Sequence, residues 1–314
     1  MLVVGTVYCL LSAAGFGALA VFGKLAFGAG VSVESLLLVR FGLAAAVLLA
    51  IALARGALHR LTGRAVLIGL GMGAIGYALQ SGLYLTALTR TDASMVALIF
   101  YLYPVLVMSG AIALRRERSS RRKTVALAVA LAGIGFVLAG AAAGRFDATG
   151  ALLAAGAALT YTGYILVGDR ATTEVPPLAL SALVCTGAFG TFLVTGSIRE
   201  SIDLGFDLAG WGWLVAVAVI STVAPILLFF AGLVRVGPGS AAILSILEPV
   251  VTVGSAALVF GETSGPAQLV GAGLVLGAVV LTQARTPGPG HGGAGTAGRE
   301  EVSPECIAAE PDRS

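Results

Sequence analysis

Residues 104–117 read Pro104-Val-Leu-Val-Met-Ser-Gly-Ala-Ile-Ala-Leu-Arg-Arg-Glu117, and residues 249–262 read Pro249-Val-Val-Thr-Val-Gly-Ser-Ala-Ala-Leu-Val-Phe-Gly-Glu262. Each stretch opens on a proline, continues through an apolar run and closes on a glutamate. The prolines are 145 positions apart (249 − 104), and the same offset links Gly5 to Gly150, Gly23 to Gly168, Arg90 to Arg235 and Glu117 to Glu262. One register held over such a length marks an internal repeat.

Outward from these two stretches, the chain divides into apolar segments near residues 3–23, 33–54, 64–88, 92–114, 124–143, 148–168, 177–197, 209–233, 238–260 and 265–283. Each has about the 20 residues that a helix needs to cross a hydrocarbon layer roughly 30 Å thick. Of the 314 residues 58% are hydrophobic and 11% charged, with a mean hydropathy of +0.98. That composition excludes a water-soluble globule and makes the lipid bilayer the solvent. The expected fold class is an all-α integral membrane protein of ten transmembrane helices.

Five spans per repeat is an odd number, so the second copy enters the bilayer from the opposite side and the two halves are inverted. Residues 1–143 form the first repeat and 148–283 the second. Residues 284–314, Pro/Gly-rich and then acidic, cannot bury a core and are expected as a disordered cytoplasmic tail. Opposed halves that rock about a shared centre are a common construction of secondary transporters.

Several other chemistries find no support. Gly71-Met-Gly-Ala-Ile-Gly76 has the letters of a dinucleotide fingerprint, but it lies within an apolar helix without the preceding strand, so close helix packing is its expected use. Gly271, Gly273 and Gly277 suggest the same. Gly17 to Lys24 lacks phosphate-loop spacing. His59 and His291 fall in a loop and in the tail, and no hydrolase or zinc motif occurs. No cofactor or metal is expected. Cys9, Cys185 and Cys306 are too dispersed for a disulfide framework. The basic run Arg115 to Lys123 reads as a topology anchor rather than a nucleic-acid patch.

The candidate site centres on Glu248, midway along the ninth span. A carboxylate at that depth costs about 2.5–3.5 kcal/mol on insertion scales, so it must face the interior and meet a proton, a partner or a cationic substrate group. Ser245, Glu248, Thr252 and Ser255 fall on one helical stripe. Pro249 has no N–H for the Ser245 carbonyl, which frees an acceptor beside the acid. The matching pair in the first repeat is Tyr103 with Pro104, so the acid belongs to one half only. Tyr77, Gln80 and Tyr84 form a seam on the third span, and Tyr161 and Tyr164 lie on the sixth, with Tyr161 matching Phe16 of the first. Aromatic walls with a few hydrogen-bonding groups suit a small organic molecule. Arg40, inside the second span, is placed either to meet a substrate carboxylate or to snorkel toward headgroups. Glu117 and Glu262 are expected as punctuation at the N-terminus of the helix that follows each, with Thr263 and Ser264 capping the last.

The two five-helix repeats, the stretches from Pro104 to Glu117 and Pro249 to Glu262, and the Gly-rich helices after each glutamate resemble the ten-span EamA-type exporters of the drug/metabolite transporter superfamily. The resemblance covers residues 1 to about 283. It implies a central cavity lined by helices 1–4 and 6–9, with helices 5 and 10 peripheral, and transport of amino acids, other metabolites or drugs. Phe16-Gly17 departs from the Trp-Gly found there in many relatives. The expected function is therefore secondary active export of small metabolites across the inner membrane by alternating access, with protons as the candidate coupling ion. An uptake permease for small organic solutes is the alternative, and a membrane-embedded lipid enzyme the distant one.

Lys and Arg alternate along the connections. With a cytoplasmic N-terminus, fourteen fall on inside segments and four, Lys24, Arg90, Arg145 and Arg199, on outside ends. The positive-inside rule then assigns both termini to the cytoplasm. Accessibility labelling of single cysteines introduced at each end should find both protected from an impermeant external reagent; termini on opposite faces would contradict the ten-span inverted plan.

Overall fold

A computed structural model describes residues 2–59, 61–88, 90, 96, 99–118, 120–139, 147–260 and 265–283. Glu262, Thr263, Ser264 and everything from 284 onward, including His291 and Cys306, lie outside the described residues. All regular structure within them is helical.

The first span is α1 (Leu2–Gly17) and α2 (Leu19–Gly28), interrupted at Ala18, and the second is α3 (Val33–Ala54). The third comprises α4 (Gly63–Gly71), a π-turn at Met72–Tyr77 and α5 (Ala78–Leu88). The fourth continues after a turn at Tyr101 and Leu102 as α6 (Tyr103–Ala113), and the fifth is α7 (Arg121–Ala139). In the second repeat the sixth and seventh spans are α8 (Ala148–Ala171) and α9 (Pro177–Ile198). The eighth is α10 (Leu208–Ala218), a π-turn at Val219–Val223 and α11 (Ala224–Val236). The ninth is α12 (Pro238–Ser245) and α13 (Leu247–Phe260), and the tenth is α14 (Pro266–Gln283). Seven of these spans are long and apolar enough to cross a bilayer, and shorter apolar helices lie at Tyr103–Ala113 and Leu269–Leu281. Leu67, Leu152, Ile198, Leu208 and Leu258 are exposed on the outside, a surface that suits lipid and not water.

Local chemistry explains where the helices start. Ser32, Thr62, Asp147 and Asp207 accept from the backbone N–H three residues on, at 3.1, 3.2, 2.7 and 2.8 Å, which satisfies donors that a helix N-terminus leaves free.

Packing follows the repeat. Span 1 packs on span 8 and span 6 on span 3; span 9 packs on span 1 and span 4 on span 6; spans 2 and 7, 4 and 9, and 5 and 10 pair directly. Exchanging the two halves maps this set onto itself. Backbone irregularities obey the same register: the π-turn beginning at Val219 matches residue 74 (219 − 145), within Met72–Tyr77, and the break at Ile246 matches Tyr101 (246 − 145).

The pseudo-fingerprint Gly71–Gly76 is the site of the third span's π-turn and of a backbone crossing. A Cβ on Gly73 would fall on the Val184 carbonyl oxygen, and one on Gly187 on that of Leu70. Spans 3 and 7 therefore touch main chain to main chain, the close approach that small residues permit where lipid supplies no hydrophobic drive. Gly133 meets the Gly271 carbonyl in the same way between spans 5 and 10, whereas Gly273 and Gly277 face open space and make no such contact. Glu117 departs from expectation. Instead of serving the helix after it alone, it accepts from Gly239 N at 2.8 Å, at the start of the ninth span, and from Lys123 Nζ at 2.7 Å. Gly237, at φ +79°, and Gly239 leave room for this carboxylate, since a Cβ on either would approach it to 2.7 or 2.8 Å. A glutamate of one repeat thus caps a helix of the other.

Replacing Gly187 with Ala should separate spans 3 and 7 and cost about 1–3 kcal/mol by overpacking, read as a lower thermal midpoint of the detergent-purified protein. Gly212→Ala, where nothing lies within 4 Å, should leave that midpoint unchanged or slightly raised.

Candidate functional site

A cavity of about 250 Å³ lies between the repeats. Phe16 and Leu19 reach it from the first span, Leu37 and Arg40 from the second, and Tyr77, Gln80, Ser81 and Tyr84 from the third. Phe100 and Tyr101 of the fourth span, Tyr161 of the sixth and Glu248 of the ninth complete its lining. By their places along the spans, these residues occupy mid-depth and the half of the bundle away from the end where Leu2 begins.

Interrupted helices shape the site. The break at Ala18 and the break at Ile246 cross: a Cβ on Gly17 would lie 2.7 Å from the Glu248 carbonyl oxygen, and Thr252 Oγ1 donates to the Gly17 carbonyl at 3.1 Å. Glu248 sits in the first turn of α13, where the helix dipole favours negative charge. No hydrogen bond or ion pair to another described residue takes up its carboxylate, and Arg40 on the same cavity is not ion-paired with it. The interruption also rotates the expected polar stripe. Ser245 ends α12, is buried, and donates to the Ala241 carbonyl at 3.0 Å; Thr252 serves span 1.

An aromatic floor closes the cavity toward the end where Leu2 begins. Tyr161 meets Tyr103 edge to face with ring centroids 4.8 Å apart and stacks on Tyr164 at 5.8 Å. Tyr164 continues to Phe230 at 6.0 Å. Phe100 links Tyr84 at 5.2 Å, Tyr101 at 5.7 Å and Tyr161 at 5.5 Å. Such rings supply an apolar, stiff platform with hydroxyl edges.

Of the residues expected from sequence, Phe16, Arg40, Tyr77, Gln80, Tyr84, Tyr161 and Glu248 line one cavity. Tyr103, Tyr164 and Ser245 lie in the layer beneath it, and Pro104 and Pro249 open the helical segments after the two matched breaks. Arg40 is 4% exposed, so it turns inward and does not snorkel. Leu19, Leu37, Ser81, Phe100 and Tyr101 are cavity residues that sequence reasoning missed. The ninth-span break at Ile246, visible only in the structure, maps through the 145-residue offset (246 − 101) onto Tyr101 and its neighbour Phe100. Cys9 and Cys185 are buried free thiols.

The model of the EamA-like transporter family matches residues 3–139 and again 148–283. The uncharacterized transporter YcbK of Bacillus subtilis (strain 168) is 25% identical over 210 residues, 65% of this chain and 67% of its own. The threonine/homoserine exporter RhtA of Escherichia coli (strain K12) is 32% identical over 170 residues, 51% of this chain and 55% of its own, so the match spans about half of that protein. A crystal structure with 22% sequence identity superposes with a TM-score of 0.75 over 89% of this chain and 96% of that one, a likeness of fold. With both halves matched, and with spans of both lining one cavity, the chain belongs to the EamA-like transporter family and is a multi-pass membrane protein that moves small solutes.

Proposed function

We propose that this protein is a secondary active transporter that exports small, amino-acid-like or drug-like metabolites across the inner membrane, with both termini in the cytoplasm. The observation that carries this reading is a mid-depth cavity between two symmetric halves, lined by the Glu248 carboxylate of one and the Arg40 guanidinium of the other. The cavity lies toward one end of the bundle and the packed layer of Tyr103, Tyr164 and Phe230 closes the other. Exchanging the roles of the two repeats would open that layer and close the first entrance, which is alternating access. Residues 1–143 and 148–283 are read as the two rocking bodies. The similarity to a threonine/homoserine exporter supports export and amino-acid-like cargo.

Glu248 is assigned the charge-coupling role. Facing a cavity between low-dielectric walls, its carboxylate is stabilised by either a proton or a cationic substrate group. Alternate occupation by the two exchanges an inward-moving proton for an outward-moving solute.

Purified protein should be stabilised thermally by some members of a metabolite panel through mass action, and those solutes should move in vesicles under an imposed pH gradient. Glu248→Gln should lower gradient-driven flux at least tenfold, about 1.4 kcal/mol, at normal expression. Unchanged turnover and unchanged proton dependence would remove the coupling role.

A further inference from the structure

Arg40 is a buried cation at the wall of the cavity. Its guanidinium lies over the Phe41 ring, 4.7 Å from the centroid, and its Nε donates to Thr222 Oγ1 at 3.1 Å. Nη2 is sealed from water without a hydrogen-bond partner. Because a guanidinium keeps its proton in proteins, that edge stays a donor and needs an acceptor.

Thr222 is itself fully buried, within the π-turn of the eighth span. Its hydroxyl proton goes to the Val217 carbonyl at 2.9 Å, five residues back. A regular α-helical turn sends a threonine hydroxyl three or four residues back, so the wider π-turn selects this partner. With its one proton committed, Thr222 Oγ1 presents a lone pair to Arg40. Arg40 belongs to the first repeat and Thr222 to the second.

We propose that Arg40 and Thr222 build a carboxylate subsite in the cavity: the transported solutes carry a carboxylate, received at the unpartnered Nη2 of the guanidinium, and Thr222 is the residue that positions it. The proposal rests on the transport reading and names its substrate class. Carboxylates match the planar fork of a guanidinium. Arg40 and Glu248 together give the cavity no net formal charge, which favours a zwitterion over a doubly charged phosphate. An ammonium group at Glu248 and a carboxylate at Arg40 would satisfy both. Since the subsite is shared by the two repeats, relative movement of spans 2 and 8 would break the Arg40–Thr222 bond and loosen the grip.

The test is thermal unfolding of the full-length protein in detergent, titrated with free L-amino acids, each beside its α-carboxamide and its decarboxylated amine, and with inorganic phosphate in a separate arm. Stabilising free acids should bind at least about tenfold more tightly than their amides, because the amide cannot pair with a buried guanidinium. Arg40→Gln should erase that preference. Thr222→Val should weaken the free acids about tenfold without changing the amides, and Thr222→Ser should restore them, since only the hydroxyl positions the fork. Amides equal to acids in the native protein, preference retained in Arg40→Gln, Thr222→Val indistinguishable from Thr222→Ser, or phosphate binding best would each overturn the subsite. Should Arg40→Gln fail to fold, the native acid–amide comparison and the Thr222 pair still decide. If solutes move without an acid preference, the subsite alone falls; if none binds or moves, the transport reading falls with it.

Discussion

In hydrocarbon, every backbone N–H and C=O must find its partner within the protein. That constraint governs where this bundle departs from straight helix. Irregular backbone occurs at Ala18, at Met72–Tyr77, at Tyr101 and Leu102, at Val219–Val223 and at Ile246, and hydroxyl side chains serve carbonyls at or beside three of these. Thr252 donates to the carbonyl of Gly17, Thr191 to that of Ala74 at 3.0 Å, Thr222 to that of Val217, and Ser12 to that of Pro225 at 2.8 Å. Three of these four bonds run between spans. At Ala18, Met72–Tyr77 and beside Val219–Val223 neighbouring helices supply the donors, around the centre of the bundle where the cavity lies.

The repeat and the span lengths were legible because they are one-dimensional. A 145-residue offset needs only alignment of the chain with itself, and the expected spans 33–54 and 238–260 agree with Val33–Ala54 and Pro238–Phe260. Seven residues that line the cavity were legible too, since a polar or aromatic side chain in an apolar span has few reasons to exist. What escaped was two-dimensional. A π-turn adds one residue to a helical turn without altering hydropathy, so the register beyond it is lost to pattern reading. Ser245 was expected beside Glu248, but the break at Ile246 turned it under the cavity. Glu117 and Thr222 have partners 122 and 182 positions away. Nothing local signals such pairs.

Symmetry of backbone coexists with asymmetry of chemistry. In the repeat register Arg40 corresponds to Cys185, Thr222 to Tyr77, Gln80 to Pro225 and Glu248 to Tyr103. Where one half places a charge, an amide or an aliphatic hydroxyl, the other places a thiol, a proline or a phenol ring. On the proposed reading the shared geometry would let the halves exchange roles, while the single set of polar groups gives the cavity one polarity. A fully symmetric site would hold two copies of each charge and would have no means of orienting a solute.

That division has a consequence for how binding and movement are linked. Glu248 rides on the second repeat and Arg40 on the first, so any rocking of the halves changes the distance between the groups that would hold the two ends of a zwitterion. A ligand shifts a conformational equilibrium only by its difference in affinity for the two states. A solute held by one repeat alone would travel with that repeat and bias nothing. A solute bridging both repeats binds each arrangement differently, and its length selects the arrangement in which both grips are satisfied. On the proposed reading, the separation between Arg40 and Glu248 acts as the gauge that ties substrate shape to the opening and closing of the bundle.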